Sequence, residues 1–314
     1  MYSATQAETI ADSLARQAEF PFEMTYFGVG SELWREAEKG SDSAFEPVRD
    51  DFDVLLQQHV EQVLALVPAA SPVEVVDLGP GTTRPVRGLM RRLAARSRLA
   101  GYRGIDLSPE MLELARLHLR DDFPDRVAGF ELHRGDFTGP ELAAVLPDAP
   151  GPPRLVVMAG GTLYNFPDPE RVLRNVRGMM RAEDVLVLTL RIDTLVDRPP
   201  FMDEVMVGAY KPQQLVGLDR LSIDRSWYVP ELGYDRARSE VFVRVRFVEP
   251  VTVRFDLDDG ERVVSFAPDD TVLVWRYRYV DVVAVTDQLA RCGLRARLVK
   301  PGRTGQVVLV AATA

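Results

Sequence analysis

The sequence predicts an α/β chain: a doubly wound parallel sheet with helices on both faces, carrying an inserted α+β lobe. Three observations predict it. From "ASPVEVVDLG" to Asp193, short apolar runs alternate with stretches of helical spacing, as parallel strands joined by helical crossovers require. Beyond Asp193 that rhythm gives way to "RSEVFVRVRFVEPVTVRFDLDDGERVVSF", where apolar and polar residues alternate as in a half-exposed antiparallel sheet. The last stretch, "VVAVTDQLARCGLRARLVKPGRTGQVVLVAA", reads as helix, strand, turn, strand and returns to the first sheet.

Each element has its own signal. Residues 1–66 read as helices joined by the polar loop "EKGSDSAFEPVRD", and "FDVLLQQHVEQVLALV" has apolar positions at helical spacing that lead into the core. "ASPVEVVDLG" is the first strand and "TRPVRGLMRRLAARSR" its helix. "AGYRGIDLS" and "PEMLELARLHLRDDF" follow as the second strand and helix, "AGFELHRGDF" as the third strand and "PRLVVMAGG" as the fourth. "PERVLRNVRGMMRAEDVLVLTLRID" supplies a helix and a fifth strand, and "RPPFMDEVMVGAYKPQQLVGLDRL" reads as helix. The expected organisation is therefore N-terminal helices over 1–66, a core over 67–195 with 281–314, and an inserted lobe over 196–280 that packs with the N-terminal helices as a lid.

Composition narrows the function classes. At 314 residues the chain exceeds one typical domain, which fits a full core plus an added lobe. A net charge of −9, with arginines dispersed among acids, argues against a nucleic-acid partner. The single cysteine, Cys292, excludes an intramolecular disulfide framework and a cysteine-rich zinc site, and its apolar setting reads as an inert buried thiol. The N-terminus carries acids and polar residues where a signal peptide needs an apolar run, and no segment is apolar for long enough to cross a bilayer. The expectation is a soluble, cytoplasmic protein with no membrane partner and no metal.

The chemistry is concentrated at three strand ends. In "VVDLGPGTTRPV", residues 75–86, Gly79 and Gly81 permit a tight turn and let helix N-terminal amides face a ligand. A dinucleotide fingerprint needs a third glycine where this chain has Arg84. In "YRGIDLSPEML", Asp106 ends a strand just ahead of a helix with Pro109 in its first turn, so its carboxylate can accept both hydroxyls of a ribose. Capping the helix is the other role open to Asp106, and Ser108 competes for it. In "HRGDF", Asp136 can accept from an adenine amino group and Phe137 can flank the ring. A glycine turn followed by an acid after each of the next two strands points to adenosine.

"DLGPGTT", "IDLSPEML" and "GDF", in this order and spacing, resemble the class I S-adenosylmethionine-dependent methyltransferases. That resemblance implies a Rossmann-like sheet of seven strands ending in a reversed hairpin, with S-adenosylmethionine as cofactor. It implies cofactor contacts at Gly79, Gly81, Thr82, Asp106, Leu107, Asp136, Phe137 and Gly160. "YFGVGSELW", "GGTLYNFP" and "GAYKPQQL" resemble more closely the histidine Nα-methyltransferase family of ergothioneine biosynthesis. Carried over, this implies a substrate site that includes Tyr26, with Asn165 on the substrate's amino group, where it is also the catalytic candidate, and Tyr210 on its carboxylate. Asn165 could equally cap the following helix, although Asp168 is the more natural cap.

The departures from that family concern the substrate. Pro85 stands where the family has a lysine that contacts the cofactor, and Phe45 where it has a substrate-binding tyrosine. In "LVWRYRY", Val274 and Arg276 replace the glutamate and serine that grip the imidazole. Histidine would leave its polar groups unpaired, so the expectation is an N-methyltransferase acting on another small amino-acid-like molecule. Arg276 suggests an acidic group on it; the competing reading pairs Arg276 with a nearby acid such as Asp281. Methyl transfer demands alignment rather than a dedicated base, which agrees with reading His133 as a core or surface residue and His59 and His118 as solvated. Two other functions compete. One keeps the fold but performs elimination or cyclisation on an anionic substrate without methyl transfer. The other is a non-catalytic subunit, whose strands over 241–256 offer an edge to a partner chain.

Overall fold

The computed structural model describes residues 2–39, 46–68, 71–139, 142–146, 150–192, 212–258 and 260–314. It divides into two compact units, Met1–Lys39 with Leu195–Arg278 and Gly40–Thr194 with Tyr279–Ala314. In chain order, α1 (Ala4–Gln17) opens with a capping box in which Ser3 accepts from the Gln6 amide and the Gln6 side chain accepts from that of Ser3. Ala7, Ile10, Ala11 and Leu14 form its buried stripe. Helices α2 (Val29–Lys39), α3 (Glu46–Gln58) and α4 (Val60–Leu64) follow.

The chain then alternates as the sequence predicts: β1 (Val73–Leu78), α5 (Arg84–Ala95), β2 (Leu99–Asp106), α6 (Pro109–Asp122), β3 (Glu131–Arg134), α7 (Leu142–Val145), β4 (Arg154–Met158), α8 (Pro169–Met179) and β5 (Val185–Arg191). Next come α9 (Pro212–Arg220), β6 (Tyr228–Asp235), β7 (Glu240–Phe247), β8 (Val251–Leu257), β9 (Gly260–Phe266) and β10 (Thr271–Arg278). The chain ends with α10 (Val282–Arg291), β11 (Arg295–Pro301) and β12 (Val307–Thr313). The helix expected to begin near residue 198 is described only from Pro212, because residues 193–211 lie outside the described set.

In the unit built on Gly40–Thr194, seven strands form one sheet in the order β11-β12-β5-β4-β1-β2-β3. β12 runs antiparallel to β5 and β11, and the other pairs are parallel. The reversed final hairpin is therefore present. β4, β5 and β12 are buried almost end to end, which explains why they read as unbroken apolar runs. From β1 the chain winds out to β2 and β3, then crosses back to β4 on β1's other side. That reversal opens a crevice at the C-terminal strand ends, where ligands of such sheets bind.

The N-terminal segment divides at residue 39 rather than 66. Leu55, Leu56, Val60, Val63 and Leu64 bury themselves against Val73, Val75, Leu89, Met90 and Leu309, so α3 and α4 belong to the sheet's core. Asp51 reinforces this by accepting from the Thr304 amide at 2.7 Å and its hydroxyl at 2.6 Å, which ties α3 to the β11–β12 turn.

The other unit holds a three-stranded antiparallel sheet, β10-β7-β6, and a ribbon of β8 with β9. β7 is flanked on both sides, so within 241–256 it is β8 that carries an edge without a strand partner among the described residues. On the outer edge of β10, the Phe20 amide donates to the Leu273 carbonyl and the Leu273 amide to Ala18, both at 2.8 Å. Among the described residues no helix is long and apolar enough to cross a membrane.

Candidate functional site

The turn after β1 is built from left-handed backbone: Gly79 at φ +70°, Gly81 at +52° and Thr83 at +60°. Glycine adopts this at no steric cost. Thr83 is β-branched and pays a strain of order 1–3 kcal/mol, the kind of cost that persists where the surroundings impose a geometry. The Gly79 amide donates to the Ile105 carbonyl at 2.9 Å, pinning the turn to β2. His118 Nδ1 lies 2.9 Å from the Thr82 carbonyl, bracing the turn from α6. His118 was expected to be solvated; it is half-buried instead, because Thr82 offers its ring a partner. The Thr82 hydroxyl oxygen is buried and has no hydrogen-bond partner.

Two carboxylates stand on the same face of the adjoining strands. Asp106, at the end of β2, accepts from the Ser108 amide at 2.9 Å, while Ser108 itself caps α6 by accepting from Met111. Burial pushes the Asp106 carboxyl up to about 6, against the pull of the Ser108 and Leu107 amides. Asp77, near the end of β1, accepts from the Tyr102 hydroxyl at 3.0 Å. Burial pushes it up to about 7; the Tyr102 bond opposes this and the Asp106 charge adds to it. No basic side chain contributes to either shift, so a negative patch sits beside the glycine turn.

The remaining strand ends complete the crevice. After β3, Asp136 accepts from the Thr138 amide at 2.7 Å and its hydroxyl at 2.6 Å. Phe137 packs edge-on against Phe166 with ring centres 5.7 Å apart, and a side chain on Gly79 would meet the Phe137 ring at 3.7 Å. After β4, the Gly160 amide donates to the Thr189 hydroxyl at 3.0 Å, and the space beside Gly160 is open. Asn165 ends the short 3-10 turn Thr162–Asn165, its Oδ1 buried without a hydrogen-bond partner. The helix cap falls to Asp168, which accepts from Arg171 at 2.9 Å. Gly79, Gly81, Thr82, Asp106, Leu107, Asp136, Phe137, Gly160 and Asn165 thus all lie at or beyond the C-terminal ends of β1 to β4, within one unit.

Tyr26 and Arg276 belong to the other unit. Tyr26 stacks on Trp34 at 5.1 Å between ring centres, and Phe22 meets both rings edge-on. Arg276 is buried and donates to Glu19 and to both carboxylate oxygens of Glu240, at 3.4 and 3.5 Å. Arg278 adds a second cation beside Glu240, 3.7 Å away. Asp281, the acid considered from sequence, caps α10 by accepting from Ala284. Val274 is 1% exposed. Tyr210 and Phe45 lie outside the described residues. The sequence assigns no role to Tyr102 or Trp34. Only Trp34 had a local signal, since it shares the "YFGVGSELW" stretch with Tyr26.

The family model for histidine-specific, S-adenosylmethionine-dependent methyltransferases matches residues 6–216. A search of curated proteins finds no match. Solved structures that resemble the chain include the CcbJ methyltransferase from Streptomyces caelestis, at 14% identity over 82% of this chain and 89% of that one, with a TM-score of 0.42. An S-adenosylmethionine-dependent methyltransferase from Clostridium acetobutylicum ATCC 824 is 13% identical over 88% and 98%, with a TM-score of 0.47. CalS10, an amino pentose methyltransferase from Micromonospora echinaspora, is 15% identical over 86% and 97%, with a TM-score of 0.42. Because the family match runs over more than half of its length, the chain belongs to the S-adenosylmethionine-dependent methyltransferase family described as histidine-specific.

Proposed function

We propose that this methyltransferase acts on the amino nitrogen of a small amino-acid-like molecule other than histidine. The observation that carries the reading is Asn165. Its carbonyl oxygen is buried without a partner in the turn that follows β4, on the same edge of the sheet as Asp77 and Asp106. A buried acceptor left unpaired is costly unless a ligand supplies the donor.

The residues present fit S-adenosylmethionine. The cofactor is a cation, and the patch of Asp77 and Asp106 has no basic side chain among the groups that shift it. The unpartnered Thr82 hydroxyl and the open space beside Gly160 leave room for its polar groups. Asp106 would accept the ribose hydroxyls, with Leu107 beside it. Asp136 would accept from the adenine amino group, with Phe137 against the ring. Gly79, Gly81, Thr82 and Gly160 would line the methionyl side. When bound, S-adenosylmethionine supplies an activated methyl group on its sulfonium. Asn165 would accept an N–H of the neutral acceptor amine and leave its lone pair free for in-line approach, so alignment replaces base catalysis.

Against histidine stand Val274 and Arg276, which offer an imidazole neither an acid nor a hydroxyl. The proposed acceptor also carries an acidic group. Arg276 is bracketed by Glu19 and Glu240, so it would have to exchange one glutamate for the ligand. Tyr26, stacked on Trp34 in its own unit, and Tyr210, outside the described residues, are proposed for substrate binding on the family resemblance alone. The test is S-adenosylhomocysteine production by the purified protein with a panel of amino acids and acidic amines. The expected result is turnover with a non-histidine amine and none with histidine; histidine trimethylation would overturn the reading.

A further inference from the structure

Tyr102 has no counterpart in the roles assigned so far, yet its placement is specific. In the parallel register Asp77 pairs with Gly104, two residues beyond Tyr102 on the same face of β2. The phenol ring fills the space that a side chain at Gly104 would occupy. A Cβ there would stand 3.2 Å from the Tyr102 hydroxyl, 3.3 Å from its ring and 2.8 Å from Leu132. Gly104 therefore lets the ring lie along the strand and bring its hydroxyl to Asp77 at 3.0 Å. Both partners are 1% exposed. Phe130 packs on the ring at 5.6 Å, a contact that phenylalanine would make as well at position 102. What the hydroxyl adds is its bond to Asp77, two residues before Gly79.

We propose that Tyr102 is a positioning residue for cofactor binding: it holds the Asp77 carboxylate as an anion near the C-terminal end of β1, where its charge acts on the positive charge of S-adenosylmethionine. This rests on the cofactor site assigned above. The groups that act on the Asp77 charge are both on β2: Tyr102 favours the anion and Asp106 opposes it. β4 brings Val157 alongside Asp77, and α6 reaches the following turn through His118 at the Thr82 carbonyl.

The consequence is readable as a pH profile. The Asp77 carboxyl is already pushed up to about 7, chiefly by burial, so near neutrality it is divided between anion and acid. Removing the Tyr102 donor moves it further up. A displacement of roughly one unit lowers the anionic fraction at neutral pH from about one half to about one tenth, and weakens apparent cofactor affinity about fivefold. The deficit disappears at higher pH, where Asp77 is ionised in both proteins.

The experiment is calorimetric titration of S-adenosylmethionine and S-adenosylhomocysteine into the wild type, Tyr102→Phe and Asp77→Asn between about pH 6 and pH 9. The inference expects Tyr102→Phe to bind S-adenosylmethionine about fivefold more weakly at neutral pH and to match the wild type at the alkaline end. S-adenosylhomocysteine lacks the sulfonium charge and should lose less. Asp77→Asn keeps an acceptor for the Tyr102 hydroxyl and should weaken S-adenosylmethionine binding at every pH, with a shallower neutral-range slope than the wild type's because only Asp106 then titrates there. A Tyr102→Phe profile superimposable on the wild type's overturns the inference, and so does a Kd raised equally at all pH values, which is the mark of a packing role. If Tyr102→Phe does not fold, Asp77→Asn decides, and a neutral-range slope as steep as the wild type's overturns the inference. If the wild type binds neither compound, the cofactor site itself fails and the inference falls with it.

Discussion

Asp77→Asn should make the folded chain's stability less sensitive to pH, and the size of the effect follows from the site. The carboxyl titrates near 3.8 in an unfolded chain and is pushed up to about 7 in the fold, mainly by burial. Between those values the folded state holds a proton that the unfolded state has released. Wild-type stability therefore falls as pH rises through this window, and the cost is complete above about pH 7. A displacement of about three units corresponds to roughly 4 kcal/mol. Asparagine carries no such cost. It still accepts from Tyr102, but its amide N–H groups need partners, a pH-independent penalty of about 1–3 kcal/mol. The Asp106 carboxyl, pushed up by its own burial, contributes a slope in both proteins that cancels in the difference. The difference in unfolding free energy between variant and wild type should thus move in the variant's favour by about 4 kcal/mol between pH 4 and pH 8. The assay is urea unfolding at several pH values followed by far-ultraviolet circular dichroism. Trp34, Trp227 and Trp275 all lie in the unit that does not contain Asp77, so tryptophan fluorescence would report on the wrong part of the chain. A difference that stays constant within about 1 kcal/mol across this range would refute the reasoning.

Asp106→Ala should lower affinity for both S-adenosylmethionine and S-adenosylhomocysteine by about 100-fold in calorimetry, since two charge-assisted bonds to a ribose common to both would be lost. Asn165→Ala should leave cofactor affinity within about twofold while reducing kcat by at least tenfold, because the deleted acceptor meets the amine and not the cofactor; steady-state kinetics with the acceptor found in the amine panel separates the two. Glu240→Ala should destabilise its unit by about 3 kcal/mol, since it leaves the buried Arg276 with Glu19 alone and takes from the half-buried Arg278 its acid. Here tryptophan fluorescence in urea is the suitable probe, and a shift below about 1 kcal/mol would contradict the buried-pair account.

What the sequence determined by itself was local in origin. The strand, glycine turn and helix at Gly79–Gly81, the acid at the end of β2 and the acid after β3 are each written within about ten consecutive residues. Backbone periodicity, positive-φ tolerance and helix capping act at that range. Because parallel strands all end on the same edge, such local motifs suffice to bring Asp106, Asp136 and Gly160 to one crevice. The seven-stranded sheet with its reversed hairpin was legible for the same reason. Tertiary structure alone decided which side chains meet across large separations: Arg276 with Glu19, Thr304 with Asp51, His118 with Thr82, and Tyr102 with Asp77. It also assigned α3 and α4 to the sheet's core, where the apolar stripe of Leu55, Leu56 and Val63 found its matching surface. These outcomes depend on register and on the room left by a missing side chain, as at Gly104. No window of sequence contains both partners of such a contact, so its chemistry becomes readable only when the strands are laid side by side.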